Sequence, residues 1–586
     1  MKFFYLLIVG LLFFSTFTQG QVTPSDSSNS FTYKVLASNL GYPWEIVYGP
    51  DDSLWVTEAR GYKITKISTV DGGKRTILDL NANKNFIRSI VTSGTNPAPG
   101  TYAKVGANYH PWPQGGLQGL ALHPRLLTGM PYVYVSYVFR WDSTSVITNG
   151  GEFFTAKIVR YTYDLVTKSL GSPQLIIDTL PASSDHNSGR LVIGPDTLLY
   201  YSIGDMGAGQ FGNKYRTNHA QNTDYYQGKI LRFNTIPDND PTDPTDPFNK
   251  WIPNSNSYFN SVNGKRSAVY SFGHRNVQGL AWGQINSGDS LYASEHGPQT
   301  DDEFNVITQD RNYGHPYVNG MCDGNMNGIS NGPYTPGSSG PTTEQNACIT
   351  YNIRQPLSTF GTTAATPATD PEGSNAGWPT VAPSGIDFYG NSDIANQIPN
   401  WKNSVLIPTL KNGRIIRIKL NANGNGVSGA PIEYFKGTSN RFRDIALNPD
   451  GVTIYVATDS GYVTSGPNAG VPPSSMPAYA GTILQFTYSG SLLSLGKDPV
   501  NAAISRTDLK IFPNPVGDVL YVQGKRNISK PITYILYDIT GKFICKGIRT
   551  TNDFSIDVRT REKGVYILKL FNGADINIAT QKIIKQ

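Results

Sequence analysis

A phrase of two short apolar strands joined by a Pro/Asp/Gly turn recurs along this chain of 586 residues. Its copies are IVYGPDDSLWVTEARG from Ile46, LVIGPDTLLYYSIGDMG from Leu191, LAWGQINSGDSLYASEHG from Leu280, IALNPDGVTIYVATDSG from Ile445 and a looser one from Leu120. Most copies end in a polar loop with Gly, and extended strands with alternating apolar residues follow. The pattern predicts an all-β protein.

The spacing of the copies is long and irregular, which favours the blades of a β-propeller over a solenoid, whose repeats are shorter. With 60 Gly and 39 Pro, the chain has the residues that many tight turns require. The region from about Phe31 to Tyr488 has room for six blades of roughly 75 residues each. Closing them into a ring leaves only short, protected sheet edges. The polar loops after the second strands would then meet at one mouth of the central channel.

The first 20 residues, MKFFYLLIVGLLFFSTFTQG, have one basic residue, an apolar segment and a small, polar end, as secretory signal peptides do. A membrane anchor is the alternative, but the apolar run from Phe3 to Phe14 is shorter than the ~20 residues that span a bilayer. No later segment qualifies as a span. We therefore expect a signal peptide at 1–20 and an exported, soluble protein without an integral membrane span.

The character of the sequence changes after Tyr488. Residues 489–508 have the composition of a linker and 509–586 predict a small β-sandwich, which leaves 21–488 for the propeller. The C-terminal segment carries 13 Lys and Arg against six Asp and Glu, so it accounts for the net charge of +6. The charge therefore does not indicate nucleic-acid binding by the main body. The segment has no His, and we expect no catalysis there.

Three cysteines are too few for a disulfide scaffold in an exported chain. Cys322 and Cys348 bracket one Gly/Ser/Pro-rich loop and are candidates for a single disulfide in an oxidising compartment. Cys545 lies far from both in the sequence and is expected to be a free thiol buried in a strand.

Two polar loops offer an acid–base pair. His186 precedes the copy of the phrase that begins at Leu191, and Asp205 lies in the loop that ends this copy. A neutral imidazole accepts a proton near pH 7, and a carboxylate beside it fixes the tautomer and stabilises the charged form. Taken alone, His186 is better explained as a turn residue that is hydrogen-bonded to the backbone.

Other loops carry basic residues and an amide. They are Arg275, Asn276, Lys411, Arg441 and Arg443. If these loops converge on one channel mouth, the cations form a site for a polyanionic small ligand. Each one alone is better explained as a surface charge. The carbonyls of Gly297 and Pro298 could in addition face a hard cation such as Ca²⁺, a weak signal by itself.

Together, these residues resemble the soluble, pyrroloquinoline quinone (PQQ)-dependent glucose dehydrogenases within the glucose/sorbosone dehydrogenase family. The resemblance covers about Val35 to Tyr488. It rests on SDHNSGRLVIGPD, GHRNVQGLA, SEHGPQTDDEFN, NYGHPYVNG, GWPTVAPS, LIPTLKNGRIIRIKL and NRFRDIALNPDG. It implies a six-bladed propeller that carries PQQ and Ca²⁺ at the channel mouth. It also implies oxidation of aldose sugars at the anomeric carbon to lactones, with electrons passed to an external acceptor.

The resemblance assigns roles to individual residues. His186 is the general base, oriented by Asp205, while Arg275 polarises the reacting quinone carbonyl and stabilises its developing charge. The other residues matched to the quinone are Asn276, Lys411, Arg441 and Arg443. The residues matched to the sugar are Gln114 and Trp378.

Two calcium sites are implied as well. The first uses the carbonyls of Gly297 and Pro298 and lies against the quinone. The ligands matched to the second are the carboxylates of Glu303 and Asp323 and the carbonyls of Tyr313, Asn319 and Met321. A flexible Asn/Gly turn explains the segment DGNMNG, which begins at Asp323, equally well.

The chain departs from the family at three places. His296 replaces the Gln that usually precedes Gly-Pro, a Tyr of the sugar pocket is replaced around Asn375, and the segment 321–351 is rebuilt. In the family, this last region helps to form the dimer and part of the sugar pocket. The resemblance therefore leaves open which sugar is preferred and whether the protein forms a homodimer.

The segment 509–586 resembles the C-terminal sorting domain of the type IX secretion pathway, through KIFPNPVGDVLYV, YDITGKFICKG and an ending in GVYILKL and QKIIK. This resemblance implies delivery to the cell surface or the exterior by that secretion machinery. A small sugar-binding or adhesion module is the alternative.

Three functions compete for the main body. The first is a PQQ-dependent aldose 1-dehydrogenase. The second is a non-catalytic propeller that binds a glycan or a protein, and the third is a calcium-dependent, lactonase-type hydrolase that needs no quinone. The set of Lys and Arg residues favours the first, because a hydrolase has no use for several cations aimed at a cofactor.

Overall fold

The structure is a computed structural model, and the chain divides into two compact units, Met1–Leu492 and Leu493–Gln586. It describes residues 23–26, 30–86, 102–105, 108–111, 113–142, 153–209, 213, 216–238, 246–285, 288–298, 300–325, 327, 343–362, 379–411, 413–436, 441–460, 479–490, 509–524, 531–539, 543–551, 553–571 and 577–586. The predicted signal peptide and most of the predicted linker lie outside these residues. The predicted domain boundaries stay predictions.

The first unit consists almost entirely of short strands. In chain order they are β1 (Thr23–Asp26), β2 (Phe31–Ala37), β3 (Pro43–Tyr48), β4 (Ser53–Glu58), β5 (Lys63–Ser68), β6 (Lys74–Asp79), β7 (Tyr102–Val105), β8 (Asn108–Pro111), β9 (Leu117–Leu122), β10 (Tyr132–Trp141), β11 (Phe154–Asp164), β12 (Ser169–Ala182), β13 (Leu191–Ile193), β14 (Leu198–Ile203), β15 (Lys229–Asn234), β16 (Val269–Phe272), β17 (Val277–Ile285), β18 (Gly288–Glu295), β19 (Asp302–Ile307), β20 (Ser358–Phe360), β21 (Asp387–Tyr389), β22 (Ser404–Pro408), β23 (Ile415–Lys419), β24 (Ile432–Tyr434), β25 (Phe442–Leu447), β26 (Thr453–Thr458) and β27 (Ile483–Tyr488). A short α-helix, α1, spans Glu344–Thr350.

Neighbouring strands pair into sheets of four or five. Four sheets are simple antiparallel meanders, with the orders β3-β4-β5-β6, β9-β10-β11-β12, β13-β14-β15-β16 and β17-β18-β19-β20. A fifth has the order β21-β22-β23-β24-β1, in which β1 runs parallel to β24. The sixth has the order β25-β26-β27-β2. The strands β7 and β8 form a separate two-stranded ribbon.

The first strands of these sheets contact one another in a cycle: β3, β9, β13, β17, β21, β25 and again β3. The sheets therefore close into a ring around a central channel, which is the predicted β-propeller. Apolar clusters fill the spaces between adjacent sheets, for example around Leu120 and Leu191 or around Tyr292 and Phe388. Both faces of each sheet are thus covered, as closure requires.

The sixth sheet joins the two ends of the unit. Strand β2 pairs with β27 from Phe31 opposite Tyr488 to Ala37 opposite Ile483. The N-terminal strand therefore completes a sheet whose other three strands come from the C-terminal end of the unit, and this pairing closes the ring.

Two further predictions concern the first unit. Cys322 and Cys348 form the proposed disulfide, with a Cα–Cα distance of 6.3 Å. Across the described ranges, none of the helices has the length and apolar character that crossing a membrane requires.

The second unit is a small β-sandwich. Its strands are β28 (Leu509–Phe512), β29 (Val519–Gly524), β30 (Ile532–Asp538), β31 (Phe543–Arg549), β32 (Phe554–Asp557), β33 (Gly564–Phe571) and β34 (Asn577–Lys585). They form one sheet of order β28-β29-β32 and a second of order β31-β30-β33-β34. Leu520, Leu536 and Leu568 belong to the apolar core of this unit. Cys545 is a free thiol in β31, as predicted, but it is only partly buried, so the prediction of a buried thiol was wrong in this respect.

Candidate active site

His186 and Asp205 lie at one end of neighbouring strands. His186 belongs to the segment that enters β13, and Asp205 follows β14, which pairs with β13. The backbone at His186 has a φ of 50°, in the left-handed region. Gly204 makes this turn possible, because a Cβ at position 204 would lie 2.0 Å from the carbonyl oxygen of His186. Both side chains are buried, and His186 Nδ1 lies 2.7 Å from Asp205 Oδ1.

The carboxylate of Asp205 accepts on both of its oxygens. Oδ1 faces His186 Nδ1 and accepts from the backbone N–H of Gly207 at 2.9 Å, while Oδ2 lies 2.8 Å from His315 Nε2. Burial raises the pKa of Asp205, but the charges and hydrogen bonds of His186 and His315 outweigh burial and hold it well below its ordinary value. An ionised carboxylate only accepts, so the neutral His186 ring carries its proton on Nδ1. Its Nε2 then has a lone pair for a substrate proton.

Gln114 supports the turn that carries His186. Its Nε2 donates to Asp185 Oδ1 at 3.0 Å, and its Oε1 accepts from the backbone N–H of Asn187 at 2.9 Å. The predicted sugar-contacting residue thus also holds the two neighbours of the predicted base. Asp185 Oδ2 is buried without a hydrogen-bond partner and lies 3.7 Å from His186 Nε2.

Arg275 enters the same region from the segment before β17. Its Nη1 donates to the carbonyls of His296 at 3.2 Å and Gly297 at 2.9 Å, and its buried Nε has no hydrogen-bond partner. Its backbone carbonyl accepts from Asp205 N–H at 2.8 Å, which links Arg275 directly to the acid–base pair. Burial lowers the pKa of Arg275. The Gly297 carbonyl, a predicted calcium ligand, is therefore already hydrogen-bonded to a cation.

Asn276 and His296 form a polar chain beside Arg275. Asn276 Oδ1 accepts from Ser188 Oγ at 3.2 Å and from Gln278 Nε2 at 2.9 Å. His296 Nε2 lies 2.8 Å from the Pro383 carbonyl, so the ring donates through this nitrogen. Burial, followed by the charge of Arg275, holds the pKa of His296 well below its ordinary value. The residue is thus a neutral part of the site wall.

Arg441 and Arg443 share one counter-ion that was not predicted. The Nε atoms of both residues lie 3.1 Å from Asp459 Oδ2. Arg443 also donates to Gln278 Oε1 at 3.1 Å, and its guanidinium carbon lies 4.2 Å from the centre of the Trp44 ring. Burial lowers the pKa of Arg443 to about 10, so it stays charged near neutral pH. Asp459 therefore fixes the direction of two of the predicted cofactor-binding cations.

Lys411 approaches from the turn between β22 and β23. It is buried, and burial lowers the pKa of its amine although the carboxylate of Asp302 opposes this effect. Asp302 accepts from the backbone N–H of Gly297 at 3.0 Å and of Val381 at 2.6 Å. It thus ties the Gly297 loop to the segment next to Lys411, a role that was not predicted. Burial raises the pKa of Asp302 to about 6.

Glu303, one of the predicted ligands of the second calcium site, contacts the segment that carries Asn319 and Met321. Glu303 accepts from the backbone N–H of Gly320 at 3.0 Å and from Asn305 Nδ2 at 2.8 Å. Burial and the nearby Glu295 raise the pKa of Glu303 well above its ordinary value. Asn319 donates its backbone N–H to Glu344 Oε1 at 3.0 Å. Within the described ranges, no three His, Cys, Asp or Glu side chains are grouped so that they could hold a metal ion.

The structure describes only some of the other predicted site residues. Trp378 lies outside the described residues, as does Asn375. The Pro298 carbonyl lies in the described loop after β18, next to Gly297. Tyr313 is buried, with its hydroxyl donating to the Val306 carbonyl at 2.7 Å, whereas in the following turn Met321 is partly exposed and Asp323 is exposed.

A buried ionic cluster lies between the site and the far end of the channel. Arg190 Nη1 contacts Glu45 Oε1 at 2.9 Å and Asp444 Oδ2 at 2.7 Å, and Arg190 Nε donates to the Gln278 carbonyl at 3.0 Å. Glu45 and Asp444 also line a cavity of about 320 Å³ between the inner strands. Arg190 thus crosses the channel and ties three of its inner strands together.

The recurring phrase contains a signal that the sequence prediction used only once. In four copies an acidic residue ends the second strand or lies within two residues of its end, and these residues are Glu58, Asp205, Glu295 and Asp459. Each accepts from the segment that enters the first strand of its own sheet: Gly41 N–H, His186, His274 and Arg441, respectively. Asp459 could therefore have been found from the position of Asp205.

Two protein-family models match the sequence. One, described as Glucose / Sorbosone dehydrogenase, matches residues 40–352 and 351–464. The other, described as Secretion system C-terminal sorting domain, matches residues 510–586.

Known relatives cover most of the first unit. The chain is 33% identical to quinoprotein glucose dehydrogenase B of Acinetobacter calcoaceticus, over 82% of this chain and 96% of that protein. It is 24% identical to an aldose sugar dehydrogenase of Escherichia coli, over 73% of this chain and 89% of that protein. The solved structure of the soluble aldose sugar dehydrogenase of E. coli in its apo form matches with a TM-score of 0.50 and 20% identity, covering 78% of this chain and 99% of that one. At this identity the structural likeness concerns the fold alone.

Proposed function

Because the chain belongs to the glucose/sorbosone dehydrogenase family, we propose that it is an exported quinoprotein that oxidises aldose sugars at C1 to lactones. The observation that carries the proposal is the joint arrangement of an oriented base, His186, and a buried guanidinium, Arg275, linked through the backbone at Asp205. A hydrolase does not need the cations of the surrounding loops, and a binding module does not need the oriented base.

His186 accepts the proton of the anomeric hydroxyl at Nε2. Its Nδ1–H donates to Asp205, whose negative charge stabilises the imidazolium that forms. While Asp205 holds the ring in this tautomer, Nε2 carries no proton of its own and can accept the proton of the sugar. The contact with Asp205 therefore sets the tautomer of His186 before the sugar binds.

The donor set fits a polyanionic quinone. Lys411, Arg441 and Arg443 are buried cations that would hold the carboxylates of PQQ. Asn276 would hold the ring system, and the unpartnered Nε of Arg275 offers a donor for the reacting carbonyl. When bound, PQQ would supply the acceptor for a hydride, which carries two electrons, from the sugar, and would pass those electrons to an external acceptor. Gln114 and Trp378 are proposed to contact the sugar.

Calcium is proposed as the second cofactor. The carbonyls of Gly297 and Pro298 are suitable hard ligands, and the Gly297 carbonyl, which accepts from Arg275, has a second lone pair for the ion. For a second ion, the proposed ligands are Glu303, Asp323 and the carbonyls of Tyr313, Asn319 and Met321. The segment 510–586 is proposed to direct the protein through the type IX secretion machinery to the surface or the exterior.

Reconstitution tests the proposed function directly. Purified protein incubated with PQQ and Ca²⁺ is expected to reduce an artificial dye in the presence of at least one member of an aldose panel. Omitting either PQQ or the sugar is the control. Absence both of tight PQQ binding and of dye reduction with every aldose would refute the enzyme reading.

Replacing Lys411 by alanine is expected to raise the PQQ concentration needed for half-maximal activity by about 10–100-fold, since a charge-assisted hydrogen bond contributes ~1.5–3 kcal/mol. A PQQ titration of dye reduction measures the change. Lys402, exposed in the turn just before β22, provides a matched control: Lys402→Ala should leave the requirement unaltered. An unaltered requirement in Lys411→Ala would show that this residue is only a local charge.

A further inference from the structure

Asp205 has a second imidazole partner in addition to the proposed base. His315 Nε2 lies 2.8 Å from Asp205 Oδ2, while His186 Nδ1 lies 2.7 Å from Oδ1. The two rings therefore use different oxygens of one buried carboxylate. His315 comes from the loop after β19, in a different sheet from His186 and Asp205, and is 110 residues away from Asp205 in sequence.

The loop that carries His315 is held firmly. The backbone N–H of His315 donates to the Gly273 carbonyl at 2.9 Å, and its carbonyl accepts from Gln221 Nε2 at 2.6 Å. Asn312 exchanges hydrogen bonds with the Gln221 side chain, at 3.0 and 2.7 Å. The position of the ring is thus set by backbone contacts on both sides and does not depend on its contact with Asp205.

The direction of the hydrogen bond follows from the acceptor. Asp205 is ionised, so the proton between the two groups is on His315 Nε2. Asn218 Nδ2 also lies 3.0 Å from this nitrogen, and its Oδ1 is used by the backbone N–H of Ala220. One ring nitrogen cannot donate to Asp205 and accept from Asn218 at once. The contact with the carboxylate is shorter and charge-assisted, and therefore the stronger of the two.

We propose that His315 is a positioning residue that fixes the carboxylate plane of Asp205 and thereby the tautomer of His186. A carboxylate held by one oxygen can rotate about its Cβ–Cγ bond, whereas one held at both oxygens cannot rotate without losing a hydrogen bond. Without the donor, Oδ2 is left buried and unsatisfied, and rotation that satisfies it draws Oδ1 away from His186 Nδ1. The proton can then move to Nε2, where the ring no longer acts as a base.

The proposal rests on the proposed function, but its main test does not require the loaded enzyme. Full-length protein labelled with ¹⁵N-histidine and free of cofactor has seven His to resolve, and His186→Gln identifies the signals of His186. The Nδ1–H tautomer is expected for His186 in the wild type and in His315→Gln, because a Gln amide retains a donor at the Nε2 position. A mixture of tautomers is expected in His315→Leu and in His315→Ala, which serves if the Leu variant does not fold.

The kinetic consequence is a selective loss of turnover. In protein reconstituted with PQQ and Ca²⁺, His315→Leu is expected to lower kcat about 10–100-fold, the range typical of a lost outer hydrogen-bond partner, with KM and PQQ affinity kept. His315→Gln should recover most of this loss. An unchanged His186 tautomer in the Leu and Ala variants overturns the proposal, and so does a Gln variant as impaired as Leu. Failure of the wild type to oxidise any aldose would refute the proposed function and leave the tautomer result standing.

Discussion

Replacing His186 by alanine is expected to lower aldose turnover by the PQQ- and Ca²⁺-loaded protein about 10²–10⁴-fold, while PQQ still binds with wild-type affinity. The loss follows from the geometry: His186 is the buried imidazole that Asp205 Oδ1 orients at 2.7 Å, and its Nε2 is left to accept the substrate proton. The cations proposed to hold the PQQ carboxylates, Lys411, Arg441 and Arg443, belong to other sheets than His186, so the cofactor should remain bound. Stopped-flow reduction of the loaded protein by sugar, together with a PQQ titration, separates the two effects.

His123 is the matched control for this experiment. It is also buried, and its ring accepts from the backbone N–H of Arg125 at the far end of β9. His123→Gln should retain normal turnover. Asp205→Asn should resemble His186→Ala, and the double variant should be no worse than either, since the two residues act as a unit. Normal turnover in His186→Ala would remove this residue from proton transfer.

Replacing Arg190 by methionine is expected to destabilise the first unit by about 3–5 kcal/mol near neutral pH, because it leaves buried carboxylates without their cation. Arg190 is 2% exposed and contacts both Glu45 and Asp444. All eight tryptophans belong to this unit, so the urea dependence of tryptophan fluorescence measures its unfolding without a contribution from the second unit.

The loss of unfolding free energy in Arg190→Met should depend on pH in a definite direction. Burial raises the pKa of Glu45, and Arg190 opposes this shift. A raised pKa in the folded state means that stability is present at acidic pH and is lost as pH rises through the folded value. Without Arg190 the pKa of Glu45 rises further above its value of about 8, so the difference in unfolding free energy between variant and wild type should be smaller at pH 6 than at pH 9. Combining Arg190→Met with Glu45→Gln and Asp444→Asn should recover much of the loss, and a loss independent of pH in Arg190→Met would contradict the electrostatic cause.

The propeller and the acid–base pair could be predicted because they depend on local sequence. Each copy of the recurring phrase forms the first two strands of a sheet, so the loops that enter and leave these strands must meet at one end. That rule brings His186 to Asp205 within a single sheet. The same rule applies to Glu295 and Asp459, whose contacts with His274 and Arg441 repeat the arrangement.

The contacts between sheets could not be predicted in this way. His315 reaches Asp205 from a loop of another sheet, and Asp302 ties the Gly297 loop to Val381 across 79 residues of sequence. These contacts depend on the length and anchoring of individual loops, which tertiary packing determines and a strand pattern does not encode.

The pairing of β2 with β27 also determines when the protein can finish folding. A hydrogen bond joins Thr32 to Thr487 across 455 residues, so the sixth sheet cannot be completed before almost the whole first unit is available. Until then β2 has no partner strand, and contacts of such long range form slowly. A polypeptide that terminates before Ile483 lacks β27 as well as the segment 510–586 that matches the sorting domain. A prematurely terminated chain with an open ring therefore also lacks the sorting segment.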